Sequence, residues 1–185
     1  MMENLLVKDK YFKKFIDASA IEAGVRNIAE AINKDYKDKN PLFLCVLNGA
    51  FIFAADLLRK IRCNCQVSFV KFASYSGTSS KGEIKTMIGL NEDLHDRHII
   101  IVEDIIDTGL TIDHLLKELR KDKPADVRIA CFCFKPDAFK KSFKIDYLAI
   151  EIPNEFVVGY GLDYDGYGRN LPHIYKITPD SYPNQ

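Results

Sequence analysis

Four consecutive β-branched residues, Ile99 to Val102, lie in the middle of the chain and suit a strand that is buried on both faces. Strands of this kind belong to parallel sheets with helices packed on either side. Two adjacent carboxylates, Glu103 and Asp104, stand where the strand would end, and an apolar helical pattern begins at Ile112. The stretch therefore predicts a strand, an acidic tip, a turn and a helix, in that order.

The turn between this strand and the helix has the composition of an anion site. Its small and polar residues are Asp107, Thr108, Gly109 and Thr111. In open α/β sheets ligands bind beyond the carboxyl ends of the strands, and a helix N-terminus offers free N–H groups to a phosphate. Glu103 and Asp104 would repel that phosphate, so they suit sugar hydroxyls or a hydrated Mg²⁺. Ordinary turn and capping chemistry uses the same residue types, but the stretch as a whole predicts a phosphosugar site.

The string HIIIVEDIIDTGLTI, residues 98 to 112, resembles the signature of the type I phosphoribosyltransferases. Its order and spacing are more specific than a lone glycine motif. By this resemblance, Glu103 and Asp104 hold the ribose hydroxyls of phosphoribosyl diphosphate (PRPP) and are candidate metal ligands. The residues implied to bind the ribose 5-phosphate are Asp107, Thr108, Gly109, Leu110 and Thr111. Leu110 stands where some relatives have lysine, so we expect it to contribute a backbone N–H.

A second turn, at Asn48 and Gly49, follows the predicted core strand 42–47. A plain turn would also favour these residues. The resemblance makes it a pyrophosphate-binding loop that acts through backbone N–H groups, with a non-proline cis peptide near Leu47-Asn48.

Residues 74–87 are small, polar and without periodicity, as is typical of a loop or a long hairpin. The resemblance implies that this loop is a catalytic lid, in which Ser74 and Tyr75 close over the pyrophosphate and exclude water. The expected return arm is Met87 to Leu90.

The segment 155–177 contains EFVVGYGLDYDGYGR, which is similar to the base-binding part of the hypoxanthine-guanine phosphoribosyltransferases. Lys135, at the end of the predicted strand 127–134, fits the same pattern, although a lysine there is usually just solvated. The resemblance implies that Lys135 donates to the purine 6-oxo group and that Phe156 stacks on the ring. The main-chain carbonyls of Val157 and Asp163 would accept from the base edge.

The resemblance also assigns charged roles around the base. Asp163 would bind Mg²⁺, directly or through water, and Arg169 would pair with pyrophosphate, a task that suits its fork of donors. Asp107 would be the catalytic residue, facing purine N7 as acceptor or general base.

The predicted fold class is α/β, the type I phosphoribosyltransferase fold: a mainly parallel central sheet flanked by helices, with a small hood. We expect a single domain over 1–185, with the core at about 38–150, the hood at about 1–18 and 151–185, and a mobile lid at about 74–87. Residues 1–18 carry only a weak pattern. After them, Ser19 and Glu22 predict a capping box for a helix that ends near Lys37.

The charge balance limits the possible partners. The 185 residues include 26 basic and 26 acidic side chains, so broad nonspecific binding to nucleic acid is not expected. No apolar run approaches a membrane span, and the N-terminus lacks the apolar centre of a signal peptide. The five cysteines fit a reduced, cytoplasmic protein, and the C-x-C pair at 63–65 lacks partners at zinc spacing.

The resemblance implies transfer of the phosphoribosyl group of PRPP to N9 of hypoxanthine or guanine, giving IMP or GMP and pyrophosphate, with Mg²⁺ as the cofactor. A xanthine-preferring enzyme would share every motif quoted. A non-catalytic PRPP-binding regulator of RNA would keep the phosphate signature but predicts a basic surface and no purine-reading residues. The family also implies a homo-oligomer, a dimer or tetramer. The base preference, the oligomeric state and the order of the lid stay open.

Overall fold

A computed structural model of the protein describes residues 4–74, 84–88 and 92–179, with the backbone alone at 73–74 and 84–88. In chain order the elements are β1 (Leu5–Val7), β2 (Lys10–Ile16), α1 (Ala18–Asp35), β3 (Leu42–Leu47), α2 (Phe51–Leu58), β4 (Gln66–Ser74), β5 (Ile84–Ile88), β6 (His98–Ile106), α3 (Leu110–Leu119), β7 (Asp126–Phe134), β8 (Tyr147–Glu151), β9 (Val157–Val158) and β10 (Ile174–Ile177). A single 3₁₀ turn, Arg120–Asp122, follows α3.

The larger of two sheets has six strands in the order β5-β4-β3-β6-β7-β8. Every neighbouring pair runs parallel except β4 and β5, which are antiparallel. Residues 99–102 of β6 are fully buried between β3 and β7, as the β-branched run predicts. The predicted α/β fold with a mainly parallel central sheet is confirmed.

Helices cover both faces of this sheet. Helices α1 and α2 pack on one face, against Phe43, Ile100 and Phe132. Helix α3 packs on the other, where Leu115 lies in a cluster with Ile101. The alternating side chains of the central strands therefore contribute to two cores, which explains why the strands read as continuous apolar runs.

Strand β6 is longer than the sequence predicts. It continues to Ile106 instead of ending at Val102, because residues 103, 105 and 106 keep a parallel register with β7. Pairing with the neighbouring strand outweighs the local polarity of Glu103 and Asp104. The two carboxylates are therefore part of the strand and lie deeper than a loop would place them.

The smaller sheet is antiparallel, in the order β1-β2-β10-β9, and joins an N-terminal hairpin to C-terminal strands. The hairpin occupies most of residues 1–18, where the sequence pattern is weak. Its stability depends on tertiary contacts: β2 pairs with β10, and Phe12 is fully buried against Val158 and Ile177.

The predicted capping box of α1 is wrong. Ser19 lies inside the helix, and the N-cap, Asp17, makes no side-chain capping bond. The backbone N–H of Ala18 donates instead to Nδ1 of His173, 2.9 Å away. A side chain distant in sequence satisfies this helix end, which no local pattern reveals. Among the described residues, none of the helices combines the length and the hydropathy of a transmembrane span.

Candidate active site

The turn after β6 forms a small pocket at the N-terminus of α3. Gly109 is the N-cap of the helix and has a left-handed conformation, with φ of 79°. Its carbonyl accepts from the N–H of Asp113 at 3.0 Å, and the hydroxyl of Thr108 accepts from the N–H of Leu110 at 3.5 Å. The pocket, about 110 Å³, is lined by Glu103 and residues 105–112. The free N–H groups of the first helical turn can bind an anion here.

The segment after β7 packs against this turn. A Cβ on Gly109 would come within 2.7 Å of the Phe139 ring and 3.1 Å of Cγ of Lys141. The N–H of Lys140 donates to the carbonyl of Thr108 at 3.3 Å. Both the backbone conformation and the lack of space therefore require glycine at this position.

Glu103, the first of the two adjacent carboxylates of β6, is shielded from solvent. Glu103 is 8% exposed, and its Oε2 is the one fully buried side-chain oxygen or nitrogen without a partner among the residues that the structure describes. Burial, together with the charge of Asp104, raises the pKa of Glu103 well above its usual range. A buried oxygen without a hydrogen-bond partner favours binding of a ligand that brings hydroxyl donors or a cation.

Asp104 is similarly perturbed. Burial raises its pKa to about 6, and the charge of Asp163 adds to this, whereas backbone N–H groups and Arg169 oppose it. The Asp104 side chain lies directly against Gly49, where a Cβ would overlap the carboxylate. The predicted pyrophosphate loop and the predicted ribose-binding pair thus meet at one point.

The second turn has the backbone that the resemblance implies. The Leu47-Asn48 peptide is cis. The carbonyl of Gly49 faces Gly161, where a Cβ would overlap the carbonyl oxygen, and Gly161 has a positive φ of 99°. The loop after β3 therefore packs on the FVVGYGLDY segment.

Two of the predicted site residues contact each other in that segment. Nη2 of Arg169 lies 2.6 Å from Oδ1 of Asp163, and Nη1 donates to the carbonyl of Gly161 at 2.7 Å. The other oxygen of Asp163 accepts from the N–H of Gly166 at 2.6 Å. The guanidinium is thereby fixed where its charge lowers the pKa of Asp104.

Lys135 lies at the carboxyl end of β7 and reaches the first turn. It is 7% exposed, its N–H donates to the carbonyl of Ile106 at 3.0 Å, and its Nζ is 2.9 Å from Oδ2 of Asp107. The interpretation of Lys135 as an ordinary solvated lysine at a strand end is therefore wrong. A buried ammonium and a carboxylate with 44% side-chain exposure form a donor and acceptor pair at the edge of the pocket.

Val157 belongs to the smaller sheet, and Phe156 immediately precedes it in the chain. Val157 is buried in β9 and pairs with β10. Phe156 is 42% exposed, and its ring lies 6.3 Å from that of Phe12 and 5.9 Å from that of Tyr164, between centroids. One aromatic side chain is thus held by two others and remains available for stacking.

The lid prediction falls mostly outside the described residues. Ser74 is the last residue of β4, where its backbone pairs with Ile84 of β5, and Tyr75 is not described. The predicted return arm coincides with β5 at residues 87 and 88 only.

Three residues that shape the site were not predicted from the sequence to take part in it. Gly161 was quoted within the motif but given no role, although its missing side chain allows contact with Gly49. The rings of Phe12 and Tyr164 both pack against that of Phe156. The G-Y-G spacing was a usable signal for Gly161, whereas Phe12 lies in a segment without a clear pattern.

Comparison with known proteins gives a consistent result. Residues 13–165 match the family model described as "Phosphoribosyl transferase domain". A hypoxanthine-guanine phosphoribosyltransferase of Lactococcus lactis is 42% identical over 158 residues, covering 85% of this chain and 86% of the relative. A hypoxanthine-guanine-xanthine phosphoribosyltransferase of Tritrichomonas foetus is 39% identical, covering 88% and 89%.

Solved structures have the same fold. A hypoxanthine phosphoribosyltransferase from Staphylococcus aureus superposes with a TM-score of 0.87 at 30% identity, covering 93% of this chain and 94% of that one. The hypoxanthine phosphoribosyltransferase from Trypanosoma cruzi, in complex with the product IMP, gives a TM-score of 0.86 at 29% identity, covering 96% of this chain and all of that one.

Proposed function

This chain belongs to the phosphoribosyltransferase family, and from that membership we propose that it is a purine salvage enzyme that acts on 6-oxopurines. It transfers the phosphoribosyl group of PRPP to N9 of hypoxanthine or guanine and releases pyrophosphate. The observation that carries this proposal is the ion pair between the buried Lys135 and the partly exposed Asp107, 2.9 Å apart, at the edge of the turn after β6. In the proposed complex, Lys135 is the donor that reads the base and Asp107 is the proton acceptor near C1 of the ribose.

PRPP would occupy the two turns and the acidic pair between them. Thr108, Gly109, Leu110 and Thr111, with the backbone of Asp107, hold the 5-phosphate through N–H and hydroxyl donors. Glu103 and Asp104 accept from the ribose hydroxyls, which supplies the partner that Oε2 of Glu103 lacks. Asn48 and Gly49 offer backbone donors to the pyrophosphate, and Arg169 adds a charged fork of donors.

We propose Mg²⁺ as the cofactor, since the donors present are hard carboxylate oxygens. Among the described residues there is no preformed cluster of three or more metal-binding side chains. That agrees with a Mg²⁺ ion held by one or two carboxylates, waters and substrate phosphates. Glu103, Asp104 and Asp163 are the residues that would hold it, and bound Mg²⁺ would neutralise charge on the departing pyrophosphate.

The chemistry would depend more on charge stabilisation than on activation of a nucleophile. As the bond from C1 to pyrophosphate breaks, positive charge develops on the ribose, and the carboxylates of Glu103 and Asp104 stabilise it. Asp107 faces N7 of the purine and accepts a proton or hydrogen bond as N9 attacks. Ser74 and Tyr75 would close over the site and exclude water, which would otherwise capture the ribosyl cation.

Lys135 would set the base preference. It donates to the 6-oxo group of hypoxanthine or guanine, whereas adenine presents an amino donor there and offers the lysine no acceptor. Phe156 stacks on the ring, and the carbonyls of Val157 and Asp163 accept from the base edge.

A broader specificity that includes xanthine is the second candidate. A relative of this chain carries xanthine in its name, and the residues that read the 6-oxo group would treat all three bases alike. We further propose that the protein works in the cytoplasm as a homo-oligomer.

The test is nucleotide formation from PRPP and Mg²⁺, with hypoxanthine, guanine, xanthine and adenine offered separately. We expect turnover of hypoxanthine or guanine that EDTA abolishes and excess Mg²⁺ restores. Tight PRPP binding without turnover of any base would contradict the proposal and would favour the regulatory RNA-binding alternative.

A further inference from the structure

An acidic residue lies in the first turn of the helix that would receive the 5-phosphate. Asp113 is the acidic residue in the first turn of α3, and its N–H donates to the carbonyl of Gly109 at 3.0 Å. A carboxylate there suits the helix dipole, but it repels a phosphate dianion bound at the same helix end. A phosphate-binding turn with this residue needs a compensating positive charge.

Two lysines supply such a charge. Nζ of Lys117 lies 2.9 Å from Oδ2 of Asp113, and Nζ of Lys141 lies 3.0 Å from the same oxygen. The hydrogen bonds to Lys117 and Lys141 lower the pKa of Asp113, so the group stays a carboxylate. The two partners differ in exposure: the side chain of Lys117 is 66% exposed and that of Lys141 is 25% exposed. The less solvated ammonium is the less screened one.

Lys141 also lies against the phosphate turn itself. Its Cγ would be 3.1 Å from a Cβ on Gly109, so its stem runs along the N-cap of α3. The neighbouring residue, Lys140, donates its N–H to the carbonyl of Thr108. By contrast Leu110, in the variable slot of the motif, is apolar and 53% exposed. The cation beside this turn therefore comes from the segment after β7.

We propose that Lys141 is a positioning residue for the ribose 5-phosphate, which acts by neutralising Asp113 at the N-terminus of α3. This inference rests on the proposed function, because it assumes that the turn binds the phosphate of PRPP. Removing the ammonium leaves Asp113 with one solvent-exposed partner, and the carboxylate then repels the phosphate. The penalty applies to PRPP and to the nucleotide product, which both carry the 5-phosphate, and not to pyrophosphate.

The experiment is steady-state kinetics in both directions with Lys141→Met, Asp113→Asn and the double variant. Lys141→Met should raise KM for PRPP and for IMP about three- to tenfold at low ionic strength, and less at high salt. KM for pyrophosphate and kcat should stay within about twofold, since the affected charge lies at the other turn. In the Asp113→Asn background the same lysine substitution should change KM by less than about twofold, because the repelling charge is gone.

Lys121→Met is the matched control, because Lys121 is 66% exposed in the 3₁₀ turn that follows α3 and pairs with Glu118 instead. It removes the same charge and should leave all constants unchanged. An unchanged KM in Lys141→Met would overturn the inference. So would a raised KM that persists in the double variant, since Lys141 would then act by direct contact or packing. Failure of the native enzyme to turn over PRPP would instead refute the proposed function itself.

Discussion

The Asp104 carboxylate destabilises the free protein at neutral pH, because burial raises its pKa from 3.8 to about 6. Because the pKa of Asp104 is raised in the folded state, its protonated form contributes its full stabilisation of the fold below pH 3.8. That contribution is lost as pH rises through about 6, since the unfolded chain ionises more readily. In the proposed complex this carboxylate accepts from a ribose hydroxyl.

Asp104→Asn should therefore stabilise the ligand-free protein while abolishing activity. We expect its free energy of unfolding to exceed that of the native protein by about 1–3 kcal/mol at pH 8, and the difference to vanish near pH 4. Urea denaturation at pH 4, 6 and 8 measures this, with the exposed Asp122→Asn as the control. A difference that is independent of pH, or a less stable variant at pH 8, would contradict it.

Asp107 is predicted to contribute through its charge, because its carboxylate faces the base in the proposed complex and pairs with Lys135. Asp107→Asn keeps the shape of the turn and removes the proton acceptor. We expect kcat/KM for hypoxanthine to fall about 10²-fold or more, with a smaller change in KM for PRPP. The exposed Asp137→Asn, two residues after Lys135, should behave as the native enzyme. A nearly unchanged kcat/KM in Asp107→Asn would refute the role.

A hydrogen bond connects the FVVGYGLDY segment to α2. The hydroxyl of Tyr160 donates to Oδ2 of Asp56 at 3.0 Å, and Tyr160 is 6% exposed with its ring 5.0 Å from that of Phe132. Burial and the carboxylate raise the pKa of this phenol, so it remains a donor. The next residue is Gly161, which contacts the loop that precedes α2.

Tyr160→Phe should therefore weaken the attachment of this segment. We expect a loss of about 1–2 kcal/mol in the free energy of unfolding, because the partly buried Asp56 loses a donor. Chemical denaturation measures the loss, and Tyr167→Phe, at a residue that is 59% exposed, is the control. Equal stability of the two variants would show that the hydrogen bond contributes nothing.

The elements of the larger sheet could be predicted from sequence, because buried parallel strands read as apolar runs. The predicted strands 42–47 and 127–134 agree with the structure to within one residue at each end. The features that were missed depend on partners distant in sequence. Pairing with β7 extends β6 past Glu103, His173 replaces the expected cap of α1, and β10 stabilises the hairpin around Phe12.

The same distinction between local patterns and partners distant in sequence applies to the candidate site. The turn at residues 107–111 was predictable from local chemistry, since strand, carboxylates, glycine and threonine are adjacent in the chain. The pairing of Lys135 with Asp107, and of Asp163 with Arg169, was not predicted, because it depends on how β7 and the C-terminal segment fold back. The motif supplied those residues, and only the packing reveals which atoms meet.

The proposed site lies where the two sheets of the molecule meet. The larger sheet supplies the phosphate turn, the acidic pair and Lys135, and Phe156 immediately precedes a strand of the smaller one. The 5-phosphate and the base are thus assigned to different parts of the chain. Purine specificity and PRPP binding should therefore respond to different substitutions.

The decisive measurement is the ratio of kcat/KM for hypoxanthine to that for adenine, in the native enzyme and in Lys135→Met. We predict a strong preference for hypoxanthine in the native enzyme and a loss of about 10²-fold or more in that ratio in the variant. KM for PRPP should change little, and Lys144→Met, at an exposed residue of the following segment, should keep the native ratio. Full discrimination against adenine in Lys135→Met, or turnover of neither base by the native enzyme, would contradict the proposed function.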